Sequence, residues 1–84
     1  MPDLVLLTRR GCCLCEGLEE KLRALDLALE LRDVDADPAL QARYGLEVPV
    51  LLRAGVDGER ELPRVSPRLA GEALRHWLHG QGVT

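Results

Sequence analysis

Phenylalanine is absent from these 84 residues, and Tyr44 and Trp77 are the only aromatics. At 46% hydrophobic residues the chain still holds enough apolar material for a compact core, so disorder is not expected. That core has to be assembled from leucine and valine. Positive charge is also in short supply: 14 acids against 11 bases give a net charge of −3. A nucleic-acid partner, which calls for a basic face, is therefore not expected. Long hydrophobic runs are missing too. Leu4–Leu7 and Val48–Leu52 fall far short of the roughly 20 residues of a membrane-spanning helix. Asp3, followed by a brief apolar run without a cleavage-like site, does not read as a secretory leader. These absences lead to the expectation of one cytoplasmic, monomeric domain over residues 1–84, with no membrane partner.

Cysteines are few, and all three (Cys12, Cys13 and Cys15) lie within one short stretch. A disulfide framework needs partners spread along the chain, and these are not. In a reducing compartment such a cluster points instead to redox catalysis or metal binding.

The apolar pattern places the cluster in context. Leu4-Val5-Leu6-Leu7 is apolar on both faces, as a buried central strand should be. The polar loop Thr8-Arg9-Arg10-Gly11 comes next, and from the cysteines onward Leu14, Leu18, Leu22 and Leu25 form one stripe of an amphipathic helix. Ala28–Val34 alternates, Leu29 and Leu31 against Glu30 and Arg32, which predicts an edge strand with one wet face. Asp37-Pro38 supplies a cap and a first-turn proline for a short helix carrying Leu40 and Tyr44, stopped at Gly45. Val50-Leu51-Leu52 is again doubly apolar, and Gly55-Val56-Asp57-Gly58 reads as a hairpin turn into a short strand around Arg60-Glu61-Leu62. Ser66-Pro67 repeats the cap-and-proline signal before a last helix expected to bury Leu69, Ala73, Leu74, Trp77 and Leu78 and to end near Gly80. The order β-α-β-α-β-β-α, with a right-handed parallel crossover at its start, predicts an α/β sandwich on a four-stranded mixed sheet. The doubly apolar strands should be central.

Within the cluster, spacing selects a pair. Residues three apart in a helical turn share a face, with Cβ atoms about 5–6 Å apart, so Cys12 and Cys15 can be bridged with modest adjustment. Cys13 and Cys15 diverge, and a link between the neighbours Cys12 and Cys13 is strained. Cys12 sits where the loop enters the helix, so unpaired amides and the positive end of the helix dipole face its sulfur. Arg9 and Arg10 add charge of the same sign. Both effects favour the thiolate, the nucleophilic form. Cys15, one turn deeper, suits the resolution of a mixed disulfide.

The stretch Leu7-Thr8-Arg9-Arg10-Gly11-Cys12-Cys13-Leu14-Cys15-Glu16 resembles the strand end, basic loop and redox motif of glutaredoxins. More closely, it is similar to a branch of small bacterial glutaredoxin-like proteins whose function is poorly defined. Asp35-Ala36-Asp37-Pro38 and Tyr44-Gly45-Leu46-Glu47-Val48-Pro49-Val50 extend the likeness over nearly the whole chain. The resemblance implies a thioredoxin-like fold and a thiol–disulfide oxidoreductase with Cys12 and Cys15 as its catalytic pair. It further implies a cis Val48–Pro49 bond beside the cysteines, with the Val48 backbone offered to a bound thiol peptide. Implied partners are a disulfide-containing protein or small thiol, and a reductant such as glutathione or a thioredoxin-reductase-type enzyme.

Two positions depart from that family's pattern. Cys13 stands where proline or histidine is usual, and Leu62-Pro63-Arg64-Val65-Ser66-Pro67 replaces the Gly-Gly and acidic turn that holds one end of glutathione. Arg64 and the helix start at Ser66 offer a carboxylate another berth. Glutathione is thus a candidate co-substrate without its usual clamp, and no resident cofactor is expected.

Other readings of the same residues stay open. A metal or iron–sulfur module would use the Cys12/Cys13/Cys15 cluster, although a closed zinc site needs about four ligands and His76 and His79 lie at the far end of the last helix. A redox-inactive docking adaptor would keep only the fold. Asp33-Val34-Asp35-Ala36-Asp37 is not a calcium loop, because Pro38 and Tyr44 occupy the positions that need glycine and a carboxylate.

Overall fold

Leu4–Thr8 forms the strand β1, buried from Leu4 to Leu7 in the computed structural model, which describes residues 4–83. Asp3 lies outside these residues. A strand apolar on both faces must have a neighbour on each side and a layer above and below. β1 accordingly pairs in parallel with β2 (Leu29–Asp33) and antiparallel with β3 (Val50–Gly55). β4 (Gly58–Glu61) closes the hairpin with β3, giving the sheet order β2-β1-β3-β4. The two doubly apolar strands are the central ones, and the alternating and short strands are the edges.

Helices α1 (Cys13–Ala24), α2 (Pro38–Tyr44) and α3 (Gly71–Gly80) connect or follow the strands, with a single 3-10 turn at Val34–Ala36. Alternation along β1 splits its side chains between two cores. Leu4 and Leu6 meet Leu18 and Leu22 of α1 and Leu74 and Leu78 of α3 on one face. Val5 and Leu7 meet Val34 and Tyr44 on the other, with Leu40 and Val48 packed alongside. Burying each such leucine or valine contributes roughly 1.5–3 kcal/mol, which is how a chain without phenylalanine builds a core.

Three local expectations are corrected. Leu14 is 55% exposed, and the buried stripe of α1 instead runs through Cys15, Leu18, Leu22 and Leu25. Ala73 is exposed, the inner face of α3 being carried by Leu74 and Leu78. Ser66 does not cap α3. Its Oγ accepts the Arg68 N–H and its carbonyl accepts the Leu69 N–H, closing one isolated turn. The backbone then passes through Gly71 at φ 56° before the helix proceeds, with Ala70 at the cap position and no side-chain bond there.

Gly45 ends α2 in right-handed rather than left-handed conformation, at φ −53°. Its need for glycine is one of space, since a Cβ there would lie 2.6 Å from the Gln41 carbonyl oxygen.

Candidate functional site

The loop after β1 delivers Cys12 to the N-cap of α1. The turn is held by the Cys12 N–H donating to the Arg9 carbonyl at 3.2 Å, and Gly11 supplies a φ of 80°. Cys12 has extended backbone, and its Sγ accepts the Cys15 N–H at 3.1 Å, a capping role more usual for serine or aspartate. Cys12 and Cys15 are joined in a disulfide with Cα atoms 5.2 Å apart. Their surroundings differ. Cys12 is half-buried at the helix mouth, whereas Cys15 is 0% exposed within the apolar face of α1. Cys13 is an exposed free thiol.

Arg9 is held on two sides. Nε donates to Asp35 at 3.0 Å and Nη1 donates to the Gly45 carbonyl at 2.9 Å. Gln41 Nε2 donates to the second oxygen of Asp35, so that carboxylate is fixed from both sides. Arg9 thereby ties the loop before Cys12 to the turn after β2 and to the segment leading into Pro49. The neighbouring aspartates have duties of their own: Asp33 accepts the Asp35 N–H, and Asp37 accepts the Ala39 N–H at the start of α2.

The Val48–Pro49 peptide bond is cis. The Val48 N–H donates to the Tyr44 carbonyl at 3.2 Å, so of its two backbone groups the carbonyl is the one left without a partner among the described residues. That narrows what the glutaredoxin likeness implied for this residue. Pro49 borders a groove of about 300 Å³ between α1 and the Arg64–Pro67 segment, where it faces Cys13, Leu14 and Leu18. Lys21 spans the groove by donating from Nζ to the Pro67 carbonyl. The fold therefore brings Pro49, Arg64 and Ser66 together with Cys13, the residue next to Cys12 in the chain. Arg9 and Val48 do not line the groove; they brace its frame.

Sequence reasoning missed Cys13, Leu14 and Lys21 as groove residues. Leu14 falls on a plausible leucine stripe, and only the burial of Cys15 in its place turns Leu14 outward. Among the described residues, no three His, Cys, Asp or Glu side chains gather into a metal-binding group. No helix among them is long and apolar enough to cross a membrane.

Residues 3–79 match the family model described as Glutaredoxin-like domain (DUF836). The chain belongs to this family. Among solved structures it is similar to XcR50 from X. campestris. The X-ray structure of that protein is 38% identical with a TM-score of 0.62, covering 92% of this chain and 96% of that one. Its solution structure is 37% identical with a TM-score of 0.67, covering 95% of each. The chain is also 35% identical over 63 residues to uncharacterized proteins of Mycobacterium tuberculosis (Rv0508) and Mycobacterium bovis (Mb0520). The match takes in 64% of this chain and 65% of theirs. The glutaredoxin-like chain thus has the thioredoxin-like architecture that its sequence resemblance implies, a mixed four-stranded sheet with helices on both faces.

Proposed function

We propose that this glutaredoxin-like chain is a thiol–disulfide oxidoreductase in which Cys12 is the nucleophile and Cys15 the resolving thiol. The observation that carries the reading is their asymmetric placement: Cys12 half-buried at the cap of α1, Cys15 bonded to it from inside the helix. In the reduced protein, the Cys12 thiolate receives the Cys15 N–H and the positive end of α1, which lowers the cost of its charge. It attacks one sulfur of a substrate disulfide and expels the other as a thiolate. Cys15, deprotonated, then attacks the Cys12 sulfur and releases the second substrate thiolate. Two electrons pass from the dithiol to the substrate, and the Cys12–Cys15 bond remains.

Pro49, Arg64 and Ser66 shape the substrate's berth, the Val48 carbonyl receives its backbone, and Arg9 holds the active loop in position. A cytoplasmic reductant, either glutathione or a thioredoxin-reductase-type enzyme, restores the dithiol, with the chain acting as a monomer. The test is equilibration of the chain in defined glutathione buffers, with mass spectrometry of the products and a disulfide-reduction assay. Cys15→Ser should accumulate a mixed disulfide on Cys12, and Cys12→Ser should abolish turnover. A wild-type rate no greater than that of free thiols would defeat the proposal.

A further inference from the structure

The groove that Cys13 lines, one residue along the chain from Cys12, has a chemistry of its own. Its walls are largely apolar, with Leu14 and Leu18 from α1 opposite Val65 and Pro67, and Pro49 at one end. Leu14 is 55% exposed there, so its side chain adds apolar surface to the groove wall. The charged residues of the lining are Lys21 and Arg64; no carboxylate lines it, although the chain as a whole has a net charge of −3. Lys21 is occupied by the Pro67 carbonyl. Arg64 is exposed and makes no hydrogen bond or ion pair among the described residues, so its guanidinium is the group left to meet a ligand. A neighbouring hollow that shares Arg64 and Pro49 is bordered by Glu47 and Glu61, which turns an incoming acid toward the groove side.

We infer that the groove selects polypeptide disulfides in which the reacting cysteine is flanked by a large apolar residue and an acidic one. The apolar side chain lies between Leu14 and Val65, and the carboxylate meets Arg64. This deepens the exchange reading and rests on it. A volume of about 300 Å³ is at the lower end for ligand pockets, matched to one or two side chains and not to a bulky cofactor. Glutathione offers carboxylates but no apolar side chain for these walls. In the reaction, the Cys12 thiolate attacks the peptide's cysteine sulfur and expels the small thiol bonded to it. Cys15 then displaces the peptide as a free thiolate, leaving the Cys12–Cys15 disulfide; a dithiol reductant added beforehand supplies the two electrons.

The experiment uses the reduced full-length chain and four synthetic peptides, each with one cysteine carried as a mixed disulfide with 2-mercaptoethanol. The flanking residues are leucine or serine on one side and glutamate or lysine on the other, and glutathione disulfide and hydroxyethyl disulfide serve as further substrates. The Leu/Glu peptide should react about fivefold to tenfold faster than the Ser/Lys peptide, as burial of one side chain with a partly exposed charge contact implies. Leu14→Ser, at an exposed position that does not threaten folding, should remove the leucine preference. Arg64→Glu should reverse the glutamate preference, read within that one variant as the ratio of the rates with the glutamate and lysine peptides. Equal rates for all four peptides, or glutathione disulfide as the fastest substrate, would overturn the groove assignment while leaving exchange intact. No reaction even with hydroxyethyl disulfide would overturn the exchange reading, and the groove assignment with it.

Discussion

Cys12 and Cys15 are one helical turn apart, yet the fold gives them different access to solvent: one at the helix mouth, the other sealed at 0% exposure behind it. Nucleophilic reactivity toward a soluble reagent depends on both thiolate character and access. In a reduced Cys13→Ser background, which removes the exposed third thiol, iodoacetamide at mildly acidic pH should modify Cys12 at least on the order of tenfold faster than Cys15. Site-resolved mass spectrometry reads the two rates, and Cys15 reacting first would reverse the roles assigned here. The pairing itself was legible from spacing alone. The duty of Arg9 was not, because its partners Asp35 and Gly45 are 26 and 36 residues away and no local pattern links them. Gly45 shows the same limit from the other side. The sequence marks it as a helix stop, but what excludes a side chain is the Gln41 carbonyl 2.6 Å from where Cβ would sit. Gly45→Ala should therefore cost about 1–3 kcal/mol in chemical denaturation, in the range of other forced overpacking. It should also disturb the carbonyl that Arg9 holds.

Among the elements, those with strong apolar periodicity were the readable ones. β1 and β3 are apolar on both faces and are central; β2 alternates and is an edge; Asp37-Pro38 opens α2 as a cap and first-turn proline do. The boundaries set by turns were harder to read. Ser66-Pro67 carries the same local signal as Asp37-Pro38, but the Ser66 turn closes on itself through Arg68 and Leu69, and α3 begins only at Gly71. A serine before a proline stabilises a turn and a helix start alike, so the backbone of the next few residues decides between them. The end of α1 is a second case. Leu25 and Asp26 donate back to Leu22 and Arg23, and Asp26 takes a φ of 62°, left-handed backbone at a non-glycine residue. A side chain in that region is unfavourable by roughly 1–2 kcal/mol for most residues, less for aspartate, and glycine adopts it freely. Asp26→Gly should thus raise stability by about 0.5–1 kcal/mol in thermal or urea unfolding, with exchange activity unchanged. A loss of stability would mean that the Asp26 side chain contributes an interaction outweighing the backbone relief.

At the scale of the whole molecule, the sheet is tied from edge to edge by charge. Arg32 on β2 pairs with Glu30 on its own strand and, through both terminal nitrogens, with Glu59 on β4 at the opposite edge. Nothing in the sequence relates Arg32 to Glu59, since the contact exists only once β1 and β3 have been placed between them. On the same sheet, Tyr44 of α2 donates its phenol to Glu61 of β4, and burial together with that bond raises its pKa above the usual 10.0. The Arg32 hydrogen bonds hold the Glu59 carboxyl below its usual 4.5, even against the opposing effect of burial. A carboxylate whose folded pKa is depressed binds fewer protons in the folded chain than in the unfolded one. Its contribution is therefore complete above the unfolded pKa and is lost as pH falls through the folded one. The side chains are about one-third exposed, so solvent screens the pair and the contribution is modest, about 0.5–1 kcal/mol. Arg32→Gln should lower urea stability by that amount at pH 7, by less in high salt, and the gap from wild type should narrow as pH drops below about 4.5. Glu59→Gln should behave in the same way, and the double variant should cost little more than Arg32→Gln alone, because both changes remove the Arg32–Glu59 interaction. A gap that stays constant from pH 7 to pH 3 would show that Arg32 stabilises the sheet by packing its stem over the strands and not by holding the Glu59 carboxylate.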